Sequence, residues 1–134
     1  MILPVDRPGG IRTGTFRYPI EIGATEAGPF VRLEAVVDTG AAYSWVPKAV
    51  LIQLGVVPRE RRRFVVADGR VIERDIAIVA ARLDGRTQPT VCVFGDDGSE
   101  VLLGAVTLEE FALGADPLNQ RLVPLPQLYL LRTG

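Results

Sequence analysis

Glycine and proline interrupt this chain at short intervals along its whole length. Its 134 residues include 14 glycines and 10 prolines, so only short apolar runs remain between the breaks. The run from Thr15 to Gly23 alternates cleanly, with Phe16, Tyr18, Ile20 and Ile22 on one face. Such alternation is typical of a half-buried strand. Short strands separated by turn residues predict a mostly β fold.

Composition limits both the size of the fold and its chemistry. Residues 1–134 suffice for a single domain with a core of its own. A net charge of −1, with the two signs interspersed, argues against nucleic acid or a membrane as the partner. The chain contains no histidine, which removes Ser-His and Cys-His catalysis and the commonest zinc ligand. Cys92 is the only cysteine and lies in an apolar run, which predicts a buried, inert thiol.

One strand is predicted to end on a carboxylate. Polar and apolar residues alternate up to Ala35, and the alternation fails at Val36 and Val37, which predicts burial on both faces. Asp38 follows at once and leads into a turn through Thr39 and Gly40. A carboxylate at the end of a buried strand is placed for acid–base chemistry. Asp-Thr-Gly is also an ordinary turn sequence, and a small β domain with a chance turn is the alternative.

Two short helices are predicted, each after a strand that leads to a turn. Pro47 suits the first turn of one helix and Gly55 its end. The second helix follows the apolar run 101–103 and Gly104. Thr107 is predicted to cap it, with Glu110 completing a capping box. Leu108, Phe111 and Ala112 are predicted to face inward, and Gly114 to end the helix.

A hairpin is predicted between these two regions. The turn Asp68-Gly69-Arg70 lies between the apolar runs 64–67 and 71–72, which is a strong hairpin signal. The basic run Arg59–Arg63 just before it is interpreted as a solvated loop, with an anion or substrate contact as the alternative.

Together, these features resemble the single-lobed, retropepsin-like aspartic proteases. The resemblance rests on the apolar strand into Asp38-Thr39-Gly40, the Leu-Leu-Gly element before the second helix, and the hairpin between them. It implies a closed, barrel-like acid-protease fold that is mostly β, with psi loops and one or two short helices. It also implies that Asp38 is catalytic and that Thr39 and Gly40 support its loop. Because each chain offers one such motif, the resemblance implies a homodimer whose two copies meet at Asp38.

The resemblance further implies a flap, a cleft and a dimer sheet. The segments Leu128–Leu131 and Ile2–Val5 are candidates for strands shared between copies. Viral members carry an acidic residue at the position of Ala42 and an arginine after the second glycine, where this chain has Ala105 and Val106. The flap candidate is Ala67, Asp68, Gly69 and Arg70, and the cleft candidates are Ala41, Ala42, Leu103 and Gly104.

The function predicted on this basis is peptide-bond hydrolysis by a dimeric aspartic endopeptidase acting on a peptide or protein substrate. No cofactor and no metal are expected. The alternative is a catalytically inactive member that keeps the fold as a binding or dimerisation module. No stretch resembles a signal peptide or a transmembrane segment, so a cytoplasmic location is expected.

Overall fold

The computed structural model describes residues 2–3, by their backbone, and residues 15–125. Two short helices and ten strands are present in these ranges. The helices are α1 (Lys48–Gln53) and α2 (Ala105–Glu110). The strands are β1 (Ile2–Leu3), β2 (Phe16–Gly23), β3 (Phe30–Val37), β4 (Ser44–Pro47), β5 (Glu60–Val66), β6 (Val71–Leu83), β7 (Arg86–Gly95), β8 (Val101–Leu103), β9 (Leu113–Asp116) and β10 (Arg121–Pro124).

Six of the strands close into a mixed barrel. Their order is β6-β2-β3-β8-β4-β7, and a direct pairing of β6 with β7 joins the two ends. The pairs β3–β8 and β4–β7 are parallel, and the remaining barrel pairs are antiparallel. The hairpin of β5 and β6 extends from this barrel, and β9 pairs separately with β10. The predicted closed, mostly β fold with two short helices is therefore confirmed.

Strand alternation explains where the core lies. Phe16, Ile20 and Ile22 of β2 are all at most 5% exposed, as the sequence pattern predicted. In β3 the burial becomes continuous from Ala35 to Val37, which confirms the expected change just before Asp38. The larger cluster of buried residues fills the barrel, and a second cluster lies against the hairpin.

The predicted capping box of the second helix is wrong. Helix α2 begins at Ala105 with Gly104 as its N-cap, and no side chain caps it. Thr107 lies inside the helix and is 1% exposed, and Glu110 is exposed. Leu108 and Phe111 are buried as predicted. The helix ends before Ala112, which has a φ of 54°, and Gly114 belongs to β9.

Thr107 instead joins a buried chain of three hydroxyls. Its Oγ1 lies 2.6 Å from Ser44 Oγ and 2.8 Å from Thr90 Oγ1. All three side chains are at most 2% exposed. A buried hydroxyl without a hydrogen-bond partner lowers the stability of the fold. Thr107 gives both Ser44 and Thr90 a partner, and these bonds join α2 to β4 and β7. A capping position and a buried network favour the same residue type, and this ambiguity misled the sequence prediction.

The basic run is a strand and not a solvated loop. Residues from Glu60 onward pair with β6, which places Arg61 opposite Asp75. Arg61 forms ion pairs with Glu73 at 3.3 Å and with Asp75 at 3.2 Å. In the register of the two strands, Arg61 and Arg63 lie opposite Asp75 and Glu73, whereas Arg62 lies opposite Arg74. The charges of Arg61 and Arg63 therefore complement the neighbouring strand.

The two terminal segments have different outcomes. Ile2–Leu3 pairs in parallel with β5 of the same chain, through Val65 and Val66, which differs from the dimer-sheet role expected for it. The predicted strand Leu128–Leu131 lies outside the described residues. Neither helix in the described part of the chain has the length or the apolar character that crossing a bilayer requires.

The hydroxyl chain yields a direct test of the helix correction. We expect Thr107→Val to lower the free energy of unfolding by about 1–3 kcal/mol, because Ser44 and Thr90 lose a buried partner. Glu110→Ala should change it by less than about 0.5 kcal/mol, because Glu110 is exposed and does not cap the helix. Chemical denaturation measures both values. An equal cost for the two variants would restore the capping box.

Candidate active site

Asp38 lies at the end of β3, held by the turn that follows it. The residue is 8% exposed, and its Oδ1 accepts a hydrogen bond from the Gly40 N–H at 3.0 Å. The Ala41 N–H donates to the Asp38 carbonyl at 3.1 Å, which closes the turn. Thr39 and Gly40 are exposed beside the buried aspartate. The turn therefore fixes the carboxylate and leaves the residues next to it accessible.

The Asp38 loop, residues 38–43, crosses the end of another strand. It connects β3 to β4, yet β8 lies between these two strands in the sheet. The Asp38 N–H donates to the Leu103 carbonyl at 3.0 Å. In the other direction, the Ala105 and Val106 N–H groups donate to the carbonyls of Ala41 and Ala42, each at 2.9 Å. One main-chain hydrogen bond thus joins the loop to the end of β8, and two join it to the start of α2.

Gly104 occupies the closest approach between these two segments. A Cβ at this position would lie 2.5 Å from the Tyr43 carbonyl carbon and 2.9 Å from the Ala41 oxygen. Real Cβ atoms do not approach backbone this closely. The φ of Gly104 is −94°, so lack of space and not the backbone angle requires glycine here. Its N–H donates to Ser44 Oγ at 3.0 Å, which links the site to the buried hydroxyl chain.

Three of the four predicted cleft residues are buried within the chain. Ala41 is 0% exposed, Leu103 is 1% exposed, and Gly104 is buried. Leu103 belongs to the barrel core. Only Ala42 is partly accessible. The structure therefore places all four beside Asp38, but the three buried residues support the loop from the protein interior.

The predicted flap residues form the tip of the β5–β6 hairpin. All four, from Ala67 to Arg70, are exposed, and Gly69 has a φ of 89°. The Arg70 N–H and Nε both donate to the Asp68 carboxylate, at 3.0 and 2.8 Å. These bonds, the main-chain one first, lower the pKa of Asp68. The hairpin predicted from Asp-Gly is present, and its tip is an ordered turn.

Sequence reasoning missed the contacts that join the hairpin to the Asp38 loop. Phe64 of β5 is 2% exposed and packs against Trp45 and Tyr43, with ring centroids 5.2 and 6.4 Å apart. Arg62 Nη1 donates to the Tyr43 hydroxyl at 3.1 Å. Among the described residues, the buried Trp45 Nε1 has no hydrogen-bond partner. The available signal was the spacing of Tyr43 and Trp45, two residues apart, together with the single aromatic residue Phe64 of β5.

Cys92 is inert, as the sequence predicted. It is 0% exposed, and burial raises the pKa of its thiol to about 12. The thiol therefore stays protonated at neutral pH and is not a nucleophile. In the described part of the chain, no group of three or more acidic, Cys or His side chains is arranged to hold a metal ion.

Family comparison agrees with this arrangement. The family of gag-polyprotein putative aspartyl proteases matches residues 30–110, which include the Asp38 loop, the hairpin and Gly104. The chain belongs to this family. The resemblance to retropepsin-like aspartic proteases is therefore confirmed. A search of curated proteins found no match for this family member.

Solved structures share the fold of this retropepsin-like chain. The EIAV protease in complex with the inhibitor HBY-793 is 21% identical, with a TM-score of 0.54 over 83% of this chain and 94% of that one. The retroviral protease-like domain of Ddi1 from Leishmania major is 21% identical, with a TM-score of 0.55 over 84% and 90%. A retropepsin-like aspartic protease from Rickettsia conorii is 21% identical, with a TM-score of 0.50 over 76% and 87%. At this identity the likeness establishes the fold.

The contact at Gly104 predicts a sharp difference between two glycines. Gly104→Ala should lower the free energy of unfolding by about 1–3 kcal/mol or more, because the new methyl group meets rigid backbone. In Gly40→Ala the nearest atom to the added Cβ is Asp38 Oδ1, at 3.2 Å, so a much smaller effect on folding is expected. Thermal and chemical unfolding of both variants provide the measurement. If Gly104→Ala were as stable as the wild type, the close approach described above would be wrong.

Proposed function

We propose that this chain is a homodimeric aspartic endopeptidase, formed by residues 1–134 as a single domain, in which each copy supplies one Asp38. The observation that carries the proposal is the Asp38 turn itself. Its carboxylate is nearly buried and held by the Gly40 N–H, while Thr39 and Gly40 beside it are exposed. A second copy docking on these exposed residues would bring two such carboxylates together about a twofold axis.

The chemistry of such a pair follows from the proximity of two like charges. Two adjacent carboxylates cannot both ionise easily, so they share one proton. The ionised carboxylate removes a proton from a water molecule, which attacks the peptide carbonyl carbon. The protonated carboxyl donates its proton to the carbonyl oxygen, which gives a tetrahedral diol. The diol then collapses, the C–N bond breaks, and the proton first removed from water passes to the leaving amine nitrogen. Thr39 and Gly40 keep the two loops aligned in this proposal.

The substrate would lie between the two Asp38 loops and the hairpin tips. Residues 67–70 are exposed at the end of a hairpin whose arm packs beside Trp45, so a tip can cover a bound peptide. Ala42 is the cleft candidate with an accessible side chain. Ala41, Leu103 and Gly104 would act by holding the loops in place.

A binding or dimerisation module without activity is the second candidate. The observation that favours it is the uncharged Ala42 together with Ala105 and Val106 after Gly104, where viral members carry an acidic residue and an arginine. Main-chain bonds join these segments here, so the loop keeps its shape without the charges. An intact Asp38-Thr39-Gly40 favours the enzyme, because a module that only binds has no need of a paired carboxylate.

The decisive variant for the proposed function is Asp38→Asn. We expect peptide cleavage to fall by about 100- to 10,000-fold, because an amide cannot exchange the catalytic proton. The fold should persist, because the amide oxygen can still accept the Gly40 N–H. Asp97→Asn is the matched control, because Asp97 lies in the turn between β7 and β8 and, like Asp38, accepts a hydrogen bond from a main-chain N–H, that of Ala49 in α1. This variant should keep full activity. Cleavage that survives Asp38→Asn would exclude the assignment.

A second prediction concerns pH and inhibitors. Cleavage should peak on the acid side of neutrality and fall on both sides, because the shared proton is lost at higher pH and both carboxyls are protonated at very low pH. Chelators should have no effect, and neither should thiol reagents, because the pKa of the Cys92 thiol is about 12 and burial denies access to it. Initial rates from pH 3 to 9 test this, with EDTA and iodoacetamide added separately. Loss of activity with EDTA would end the aspartic-protease proposal.

A further inference from the structure

The hairpin arm is fastened to the strand that follows the Asp38 loop. Phe64 of β5 lies against both Tyr43 and Trp45, at centroid distances of 6.4 and 5.2 Å. Arg62, two residues earlier, donates to the Tyr43 hydroxyl at 3.1 Å and lies 5.7 Å from the centre of its ring. Phe64 and Trp45 are 2% and 6% exposed within one chain.

These rings lie beside the catalytic candidate and outside the barrel core. The second buried cluster contains Trp45 and Phe64 together with Val36, two residues before Asp38, and Leu102, two residues before Gly104. Their neighbours Val37 and Leu103 belong to the barrel core, so the two clusters lie on opposite faces of the same strands. Val36 and Leu102 are 5% and 7% exposed. The side chains of this second cluster therefore fill the space next to the Asp38 loop, and we call this surface the substrate wall.

We infer that Trp45 and Phe64 determine substrate size, by restricting one substrate side chain next to the scissile bond to small residues such as glycine, alanine or serine. The inference rests on the proposed function, since it places the peptide between the Asp38 loop and the hairpin. A well-packed cluster resists the insertion of further carbon atoms, so a large substrate side chain would have to displace a ring. Binding pockets discriminate in this way by roughly 10- to 200-fold for each methylene group.

Replacing either aromatic ring with the smaller leucine side chain should allow larger substrate residues at the restricted position. We compare cleavage of a peptide library by the wild type, Trp45→Leu and Phe64→Leu. The control is Phe111→Leu, which removes the same atoms from a phenylalanine that is 1% exposed in the barrel core. Melting temperatures of all four proteins establish that each is folded.

The expected wild-type profile has one position beside the scissile bond where small residues exceed phenylalanine by about tenfold or more in kcat/KM. Trp45→Leu and Phe64→Leu should reduce that ratio, and Phe111→Leu should leave it unchanged while lowering the melting temperature. A wild type that accepts phenylalanine equally on both sides of the bond would overturn the inference. So would an equal change of the ratio in Phe111→Leu.

Binding separates this inference from the proposed catalysis. Fluorescence anisotropy with labelled peptides is measured on Asp38→Asn, with and without Phe64→Leu. The size restriction is supported if the peptide with a small residue binds more tightly than the peptide with a large one, and if Phe64→Leu reduces this difference in affinity. That result supports the restriction even if no protein cuts any peptide, in which case the catalytic proposal alone fails. Equal binding of small and large peptides, or binding of neither, overturns the size restriction whatever the cleavage result.

Discussion

The arrangement around Asp38 depends on the contact between the Asp38 loop and Gly104. A loop can pass over the end of β8 only if the residue beneath it has no side chain, because its Cβ would meet the backbone of Tyr43 and Ala41. Once that approach is possible, main-chain hydrogen bonds in both directions fix the loop, and Ser44 Oγ accepts the Gly104 N–H. The buried hydroxyls of Thr107 and Thr90 extend the same support into α2 and β7. The position of one carboxylate is thus determined by packed backbone and not by flexible side chains.

This construction holds the Asp38 loop to α2 without a charged pair at Ala42 and Ala105. Ala42 and Ala105 carry no charge, but their segments are still joined because Ala105 and Val106 donate to the carbonyls of Ala41 and Ala42. An ion pair partly exposed to water adds little stability, whereas main-chain bonds in a packed loop are retained. In the proposed substrate wall, the aromatic contacts of Phe64 and the hydrogen bond from Arg62 to Tyr43 hold the hairpin arm beside the Asp38 loop.

Much of the fold was predictable from the sequence, because local patterns and tertiary structure agree there. Alternation in Thr15–Gly23 predicted β2, the double valine predicted the buried end of β3, and Asp-Gly predicted the hairpin. The prediction failed where one residue type suits two environments. Thr107 fits an N-cap as well as a buried hydroxyl chain, and only the position of Ser44 and Thr90 decides between them. The arginine-rich run could not be recognised as a strand, because its acidic partners lie on β6. The Phe64 contacts join residues about twenty positions apart, which no local pattern records.

The proposed catalytic pair forms only if two copies meet at their Asp38 loops, and site-directed cross-linking tests this contact most directly. Thr39→Cys places an exposed thiol beside Asp38, while Cys92 is buried with a thiol pKa of about 12 and does not interfere. The control Glu26→Cys lies in the exposed turn at the opposite end of β3. Under mild oxidation, we expect Thr39→Cys to give a disulfide-linked dimer rapidly on a non-reducing gel, and Glu26→Cys not to do so. A Thr39→Cys protein that stays monomeric, or that cross-links no faster than Glu26→Cys, would contradict the proposed contact.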